Sequence, residues 1–243
     1  MQVVCQLRFP PILRIESQPP ADFQEYIRGT FPLFQRVQGM ANQQVPPEFL
    51  RIAGLSEASV TYHFRTEDEL NTLALTSNSI SLTCDKYERW EQFRDLIGRA
   101  IKNFEEIYKP SSYTRIGLRY INVVSRDAIN LQERPWSALI RGELLGELVD
   151  PLWEQRTFEA RSQIRLRMSH DSGAIFLQHG IGSVDGSQET VYVIDFDFYK
   201  EAKTEVGSGL AVLEKFHDRS GRAFRWCITD ELHQALGPKQ PDD

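Results

Sequence analysis

Residues 113–124, Tyr-Thr-Arg-Ile-Gly-Leu-Arg-Tyr-Ile-Asn-Val-Val, set the fold class. A period of two places Arg115, Gly117 and Arg119 on one face and Ile116, Leu118 and Tyr120 on the other. Tyr120, Ile121, Val123 and Val124 supply the aromatic and β-branched content of a strand. Two guanidiniums separated by a glycine suit either an anion or a ladder of ion pairs to a neighbouring strand.

Working outward, the clearest helix precedes this strand. From Tyr87 to Tyr108, Trp90, Phe93, Leu96, Ile97, Ala100, Ile101, Phe104 and Ile107 recur at helical spacing, and Pro110 ends the run. Before it, Val3–Phe9 reads as a strand stopped by Pro10-Pro11. Pro19-Pro20 opens a short helix through Phe23, Ile27 and Phe31, and Pro46-Pro47 marks an irregular connection. Ser59–Arg65, Thr72–Thr76 and Ile80–Thr83 read as successive strands with a tight turn at Ser77-Asn78-Ser79.

After the arginine strand, Trp136–Val149 is a weaker helical segment ended by Asp150-Pro151. Arg161, Gln163, Arg165 and Arg167 then alternate with Ser162, Ile164, Leu166 and Met168. Ala174–Gln178 follows an Asp171-Ser172-Gly173 turn, Gly180–Gly186 reads as a flexible loop, and Thr190–Tyr199 as a strand. A long helix from Ser208 to Ala235 carries Leu210, Leu213, Phe216, His217, Cys227 and Leu232 on its inner stripe, with Lys239–Asp243 as a frayed tail. The expected architecture is α+β: a mainly antiparallel sheet packed on one face by two long amphipathic helices. The 243 residues are expected to form a single compact unit; the order of elements, without a residue-level repeat, suggests two similar halves, 1–125 and 151–238, joined by a helical connector.

Composition narrows the function classes. Hydrophobic residues make up 41% and charged residues 26%, ordinary values for a globular chain. No apolar run reaches the length of a membrane span, and Arg8, Pro10 and Pro11 interrupt the N-terminal apolar stretch, against a secretory signal. The expected compartment is the cytoplasm. A net charge of −6 lacks the basic footprint of a general nucleic-acid binder. Cys5, Cys84 and Cys227 are scattered and read as buried small hydrophobes. No zinc pattern, nucleophile elbow or P-loop is present, and neither a cofactor nor a metal is expected.

The candidate binding residues are Arg115, Arg119, Arg161, Arg165 and Arg167, which form one basic face if their strands share a sheet. Asp195 and Asp197 sit on the outward face of a third strand, available either as cross-strand partners or, less characteristically, as cation ligands. His217 falls within an apolar stripe and reads as a core histidine. Trp90, Tyr108, Trp136, Trp153 and Trp226 read as packing groups before they read as base-stacking platforms.

The segments VCQLRF, DKYERWEQF, RIGLRYIN and LEKFH…FRWCITDEL together resemble a sporadically distributed, functionally uncharacterised family of bacterial proteins of about this length, with RIGLRYIN the most specific piece. The resemblance implies a bacterial, cytoplasmic, single-unit protein, and sporadic distribution is typical of mobile defence or toxin–antitoxin cargo. The functional expectation is a non-enzymatic binding protein with a protein partner, an accessory or antitoxin-like component of such a locus. The alternative is an RNA- or nucleotide-binding protein, or a nuclease, that uses the arginine face.

Overall fold

The computed structural model describes residues 1–38, 60–169, 173–183 and 189–237. The Pro46-Pro47 connection, Asp171-Ser172, the end of the glycine loop and the Lys239–Asp243 tail lie outside them. Helices and antiparallel strands are mixed, and the described strands are hydrogen-bonded in the order β2-β3-β4-β5-β1-β6-β9-β8-β7, with ranges given below. The chain divides into two compact units. One comprises residues 2–118 with 200–213; the other comprises 119–199 with the chain from 214 onward.

In the first unit, β1 (Gln2–Arg8), β2 (Leu33–Gln38), β3 (Val60–Arg65), β4 (Asn71–Leu75) and β5 (Ser79–Cys84) pair antiparallel. Their register explains the alternation. Cys5 opposes Leu82, Leu82 opposes Leu73 and Leu73 opposes Phe64, and all four are fully buried. A one-residue slip would turn this entire row outward. α1 (Leu13–Ser17) and α2 (Ala21–Ile27) add Ile15, Phe23 and Ile27 to the core. α3 (Trp90–Tyr108) buries Phe93, Ile97, Ala100, Ile101 and Phe104, the apolar stripe read from the sequence. It stops at Lys109, which takes a left-handed φ of 48° one residue before Pro110.

The segment 200–213 is knitted into this unit. Tyr113 and Thr204 form a two-way backbone bridge, each N–H donating to the other's carbonyl at 2.9 Å. Glu105 Oε1 accepts from the Tyr113 hydroxyl at 2.7 Å and from Gly207 N–H at 3.0 Å. Burial and the neighbouring Glu105 carboxylate push the Tyr113 phenol far above its usual range. At Gly209 a Cβ would come within 2.8 Å of Leu7 Cδ2, so a larger residue there would have to displace the Leu7 side chain.

β6 (Arg115–Val124) begins in the first unit and ends in the second. In the second unit, β7 (Ala160–Arg167), β8 (Ala174–Ser183) and β9 (Thr190–Lys200) pair antiparallel. One side of β9 buries Tyr192, Ile194, Phe196 and Phe198. β8 runs through Gly180 and Gly182 to Ser183, correcting the loop expected from Gly180 onward. Gly180 is needed there: φ is +149° and a Cβ would stand 1.8 Å from the Ala160 carbonyl oxygen. The glycine therefore marks close strand approach, not flexibility.

Two expected helices are broken. Trp136–Val149 divides into α4 (Trp136–Leu139), α5 (Gly142–Leu145) and a 3₁₀ turn (Gly146–Val149), with Gly146 at φ +54°. α6 (Pro151–Arg156) follows, capped by the Asp150 carboxylate accepting from Leu152 N–H. The C-terminal helix is α7 (Gly209–Cys227) followed by α8 (Asp230–Ala235). The break occurs because Ile228 bridges Ile140 and the Thr229 hydroxyl caps a new helix by accepting from Leu232 N–H.

Candidate partner-binding face

Strand register assembles the face. Asp195 of β9 opposes Gln178 of β8, which opposes Gln163 of β7. The next rows are Asp197–Phe176–Arg165 and Tyr199–Ala174–Arg167, and on the other side Val193–Gly180–Arg161. Directly opposed residues share a sheet face, so Arg161, Arg165 and Arg167 project on the same side as Asp195 and Asp197. Arg119 joins them: its Nε donates to Asp195 Oδ1 at 2.6 Å, and its Nη2 donates to Oδ2 of the same carboxylate.

Arg115 lies in the first unit and the other four candidate arginines in the second, and by burial the five separate into two sets. The Arg119 and Asp195 side chains are only 14% and 9% exposed, so this two-pronged pair is sheltered and structural. Arg115 is buried as well, and its guanidinium lies across Gly117, where a Cβ would meet Nη1 at 2.5 Å. The gap that glycine leaves between the two β6 arginines is thus filled by Arg115 itself. On β7, Arg161, Arg165 and Arg167 are all exposed. Arg161 Nε lies 3.0 Å from Glu159 Oε1 with its own side chain 79% exposed, a pair worth little in water. The Arg165 guanidinium sits 5.0 Å from the centre of the Phe176 ring, within cation–π range.

β7 ends the strand order, and among the described residues it pairs with β8 alone. Its other face shows Ile164 and Leu166, 38% and 44% exposed. Just before it stand Leu152, Trp153 and Phe158, the last 83% exposed. Large apolar side chains exposed on and just before an edge strand are features that interaction surfaces share. The alternation of residues 161–168 is visible in the sequence, but the sequence gives no sign that the strand lies at an edge. Trp153 and Trp226, expected from the sequence to be packing groups, are instead exposed.

The remaining chemistry-bearing groups are turned inward. Tyr192 donates its hydroxyl proton to the Leu144 carbonyl at 3.2 Å, so His179 Nδ1, 2.9 Å from the same oxygen, is the donor to it. That leaves His179 Nε2 as a buried, unprotonated atom without a protein partner, and burial holds its pKa below the ordinary value. His217 is half-buried on α7, with Nδ1 at 2.9 Å from the Tyr120 hydroxyl. All three cysteines are buried, and burial pushes the thiols of Cys5 and Cys227 up to about 12, far from a nucleophilic thiolate. Among the described residues no three His, Cys, Asp or Glu side chains converge on a metal position. Asp195, one half of the Asp-Phe-Asp pair, is engaged by Arg119. No helix among the described residues is long and apolar enough to cross a membrane.

Neither a model of a known protein family nor a curated protein sequence matches this chain.

Proposed function

We propose that this chain is a non-enzymatic binding protein that holds an acidic protein partner on β7. The observation that carries the reading is the exposure of Arg161, Arg165 and Arg167 on one face of an edge strand, beside the sheltered Arg119–Asp195 pair. The buried arginines stiffen the sheet, and the outer three present guanidiniums whose donor forks suit carboxylates. In this reading each unit packs its own long helix against its strands, α3 in the first and α7 in the second. The Tyr120–His217 bond and the Phe9–Phe104 ring contact at 4.6 Å support that arrangement. An accessory or antitoxin-like role, which the family resemblance implies, would make the partner an effector protein.

A second reading has one observation in its favour. Arg165 over Phe176 pairs a cation with an aromatic ring, the two kinds of group on which single-stranded RNA bases stack. The net charge of −6 weighs against it.

The test uses the triple variant Arg161→Gln/Arg165→Gln/Arg167→Gln with polyglutamate and an oligouridine as probes. The expected result is salt-sensitive polyglutamate binding that the variant loses while its melting temperature stays put. Undiminished polyglutamate binding by the variant would overturn the reading. Tighter binding of oligouridine than polyglutamate would replace it with the second.

A further inference from the structure

The edge of β7 offers more than charge, and we infer that it receives an extended segment of the partner as an added β-strand, one that alternates acidic and apolar residues. The inference rests on the binding reading above and specifies how that partner is held.

Edge strands are commonly protected by shortness, proline, a bulge, a covering element or charged side chains. Of these β7 carries, among the described residues, only charge, three exposed arginines, so strand addition requires a partner whose side chains neutralise them. β7 is eight residues long, contains no proline, and pairs with β8 in an unbroken register from Ala160 to Arg167. Its charges lie on one face only, and the other carries Ile164 and Leu166 in water. The backbone groups on its outer side have no strand partner among the described residues. Such an edge templates strand addition, in which backbone hydrogen bonds give affinity and alternate side chains give selectivity.

The side-chain pattern then defines the occupant. Residues of an added strand that face Arg161, Arg165 and Arg167 must be acidic or polar, while those between them meet Ser162, Ile164 and Leu166 and are best apolar. Phe158, two residues before β7, is exposed as well. A second copy of β7 fits poorly. Antiparallel self-pairing centred on Gln163 sets Arg161 against Arg165, and centred on Ile164 it sets Arg161 against Arg167. Directly opposed like charges destabilise a strand pair. The complementary occupant is therefore an acidic strand from another protein.

The experiment measures binding of an eight-residue peptide alternating Glu and Val, the length of β7. It is compared with a Lys/Val counterpart and with two isomers N-methylated at alternate residues, one for each edge of the peptide. The parent peptide should bind. The lysine peptide should not, and at least one methylated isomer should bind about tenfold more weakly, because it cannot complete the backbone ladder. Ile164→Lys, with an unchanged melting curve, should weaken the parent peptide as well. Absence of parent binding, or binding of both methylated isomers at the parent's strength, would overturn strand addition. Methylated isomers that bind fully to the wild type but not to the triple glutamine variant would leave the acidic-partner reading standing alone. Displacement of the parent peptide by oligouridine at lower concentration than by unlabelled peptide would overturn both.

Discussion

Arg119 and Asp195 lie 76 residues apart in the chain and meet as a two-pronged ion pair on adjacent strands, each side chain largely withdrawn from water. Removing one partner leaves the other charge sheltered and unpaired, which is the costly case for an ion pair. Arg119→Gln should lower stability by about 3 kcal/mol, and Asp195→Asn by a similar amount. A double-mutant cycle in urea should show strong coupling, and additive single effects would refute the structural role.

Phe104 is fully buried, with its ring 4.6 Å from Phe9 and 5.5 Å from Tyr108. Phe104→Ala should cost about 3–5 kcal/mol through lost burial and the cavity left behind. The denaturant midpoint checks this directly: an unchanged midpoint would mean that the α3 stripe is not core.

Acid should destabilise the fold through its histidines. Burial lowers the pKa of both His179 and His63, so the unfolded chain binds protons that the folded chain refuses. Their contribution is complete above the unfolded value, near 6.5, and is lost as pH falls toward the depressed folded values. Urea midpoints at about pH 7.5 and 5.5 should therefore fall with acidification, and His179→Leu should flatten the slope without abolishing it. A variant with the full wild-type slope would remove His179 from the account.

Gly180→Ala should be among the worst small substitutions in the chain. The added methyl would lie 1.8 Å from the Ala160 oxygen at a φ of +149°. Backbone strain alone costs about 1–3 kcal/mol, and relieving the clash must open the start of the β7–β8 pairing. Hydrogen exchange should show amides near Ala160 and Arg161 losing protection first. Uniform protection across β7 would contradict the close approach.

What the sequence shows and hides follows from the range of the interactions. α3 is legible because its stripe repeats over 19 residues, and periodicity is a local property. β2 is missed because Leu33–Gln38 is an exposed edge, with Leu33 and Phe34 both partly in water, so no clean alternation marks it. The breaks at Gly146 and Thr229 are hidden because an unbroken apolar pattern crosses both. The deciding contacts there, a left-handed glycine and the Ile140–Ile228 bridge, are conformational or distant. Gly180 was misread since glycine is depleted in strands, and only the Ala160 carbonyl explains its presence. For the arginines, alternation marks which residues of one strand share a side, but not which strands stand together. The division into buried and exposed sets is not legible either, because it depends on Asp195 standing beside Arg119 and on Arg115 lying down over Gly117.

The bridge between Tyr113 and Thr204 has a consequence for how the chain is made. Residues 2–118 emerge from the ribosome long before residues 200–213, yet those late residues supply the backbone partners of Tyr113 and the glycine that nestles against Leu7. The first unit must wait, with that part of its surface open, until most of the polypeptide has been translated. A chain stalled at residue 199 should therefore present an unfinished N-terminal half to chaperones and proteases, and separate expression of residues 1–118 should give material that folds only when 200–213 is supplied in trans.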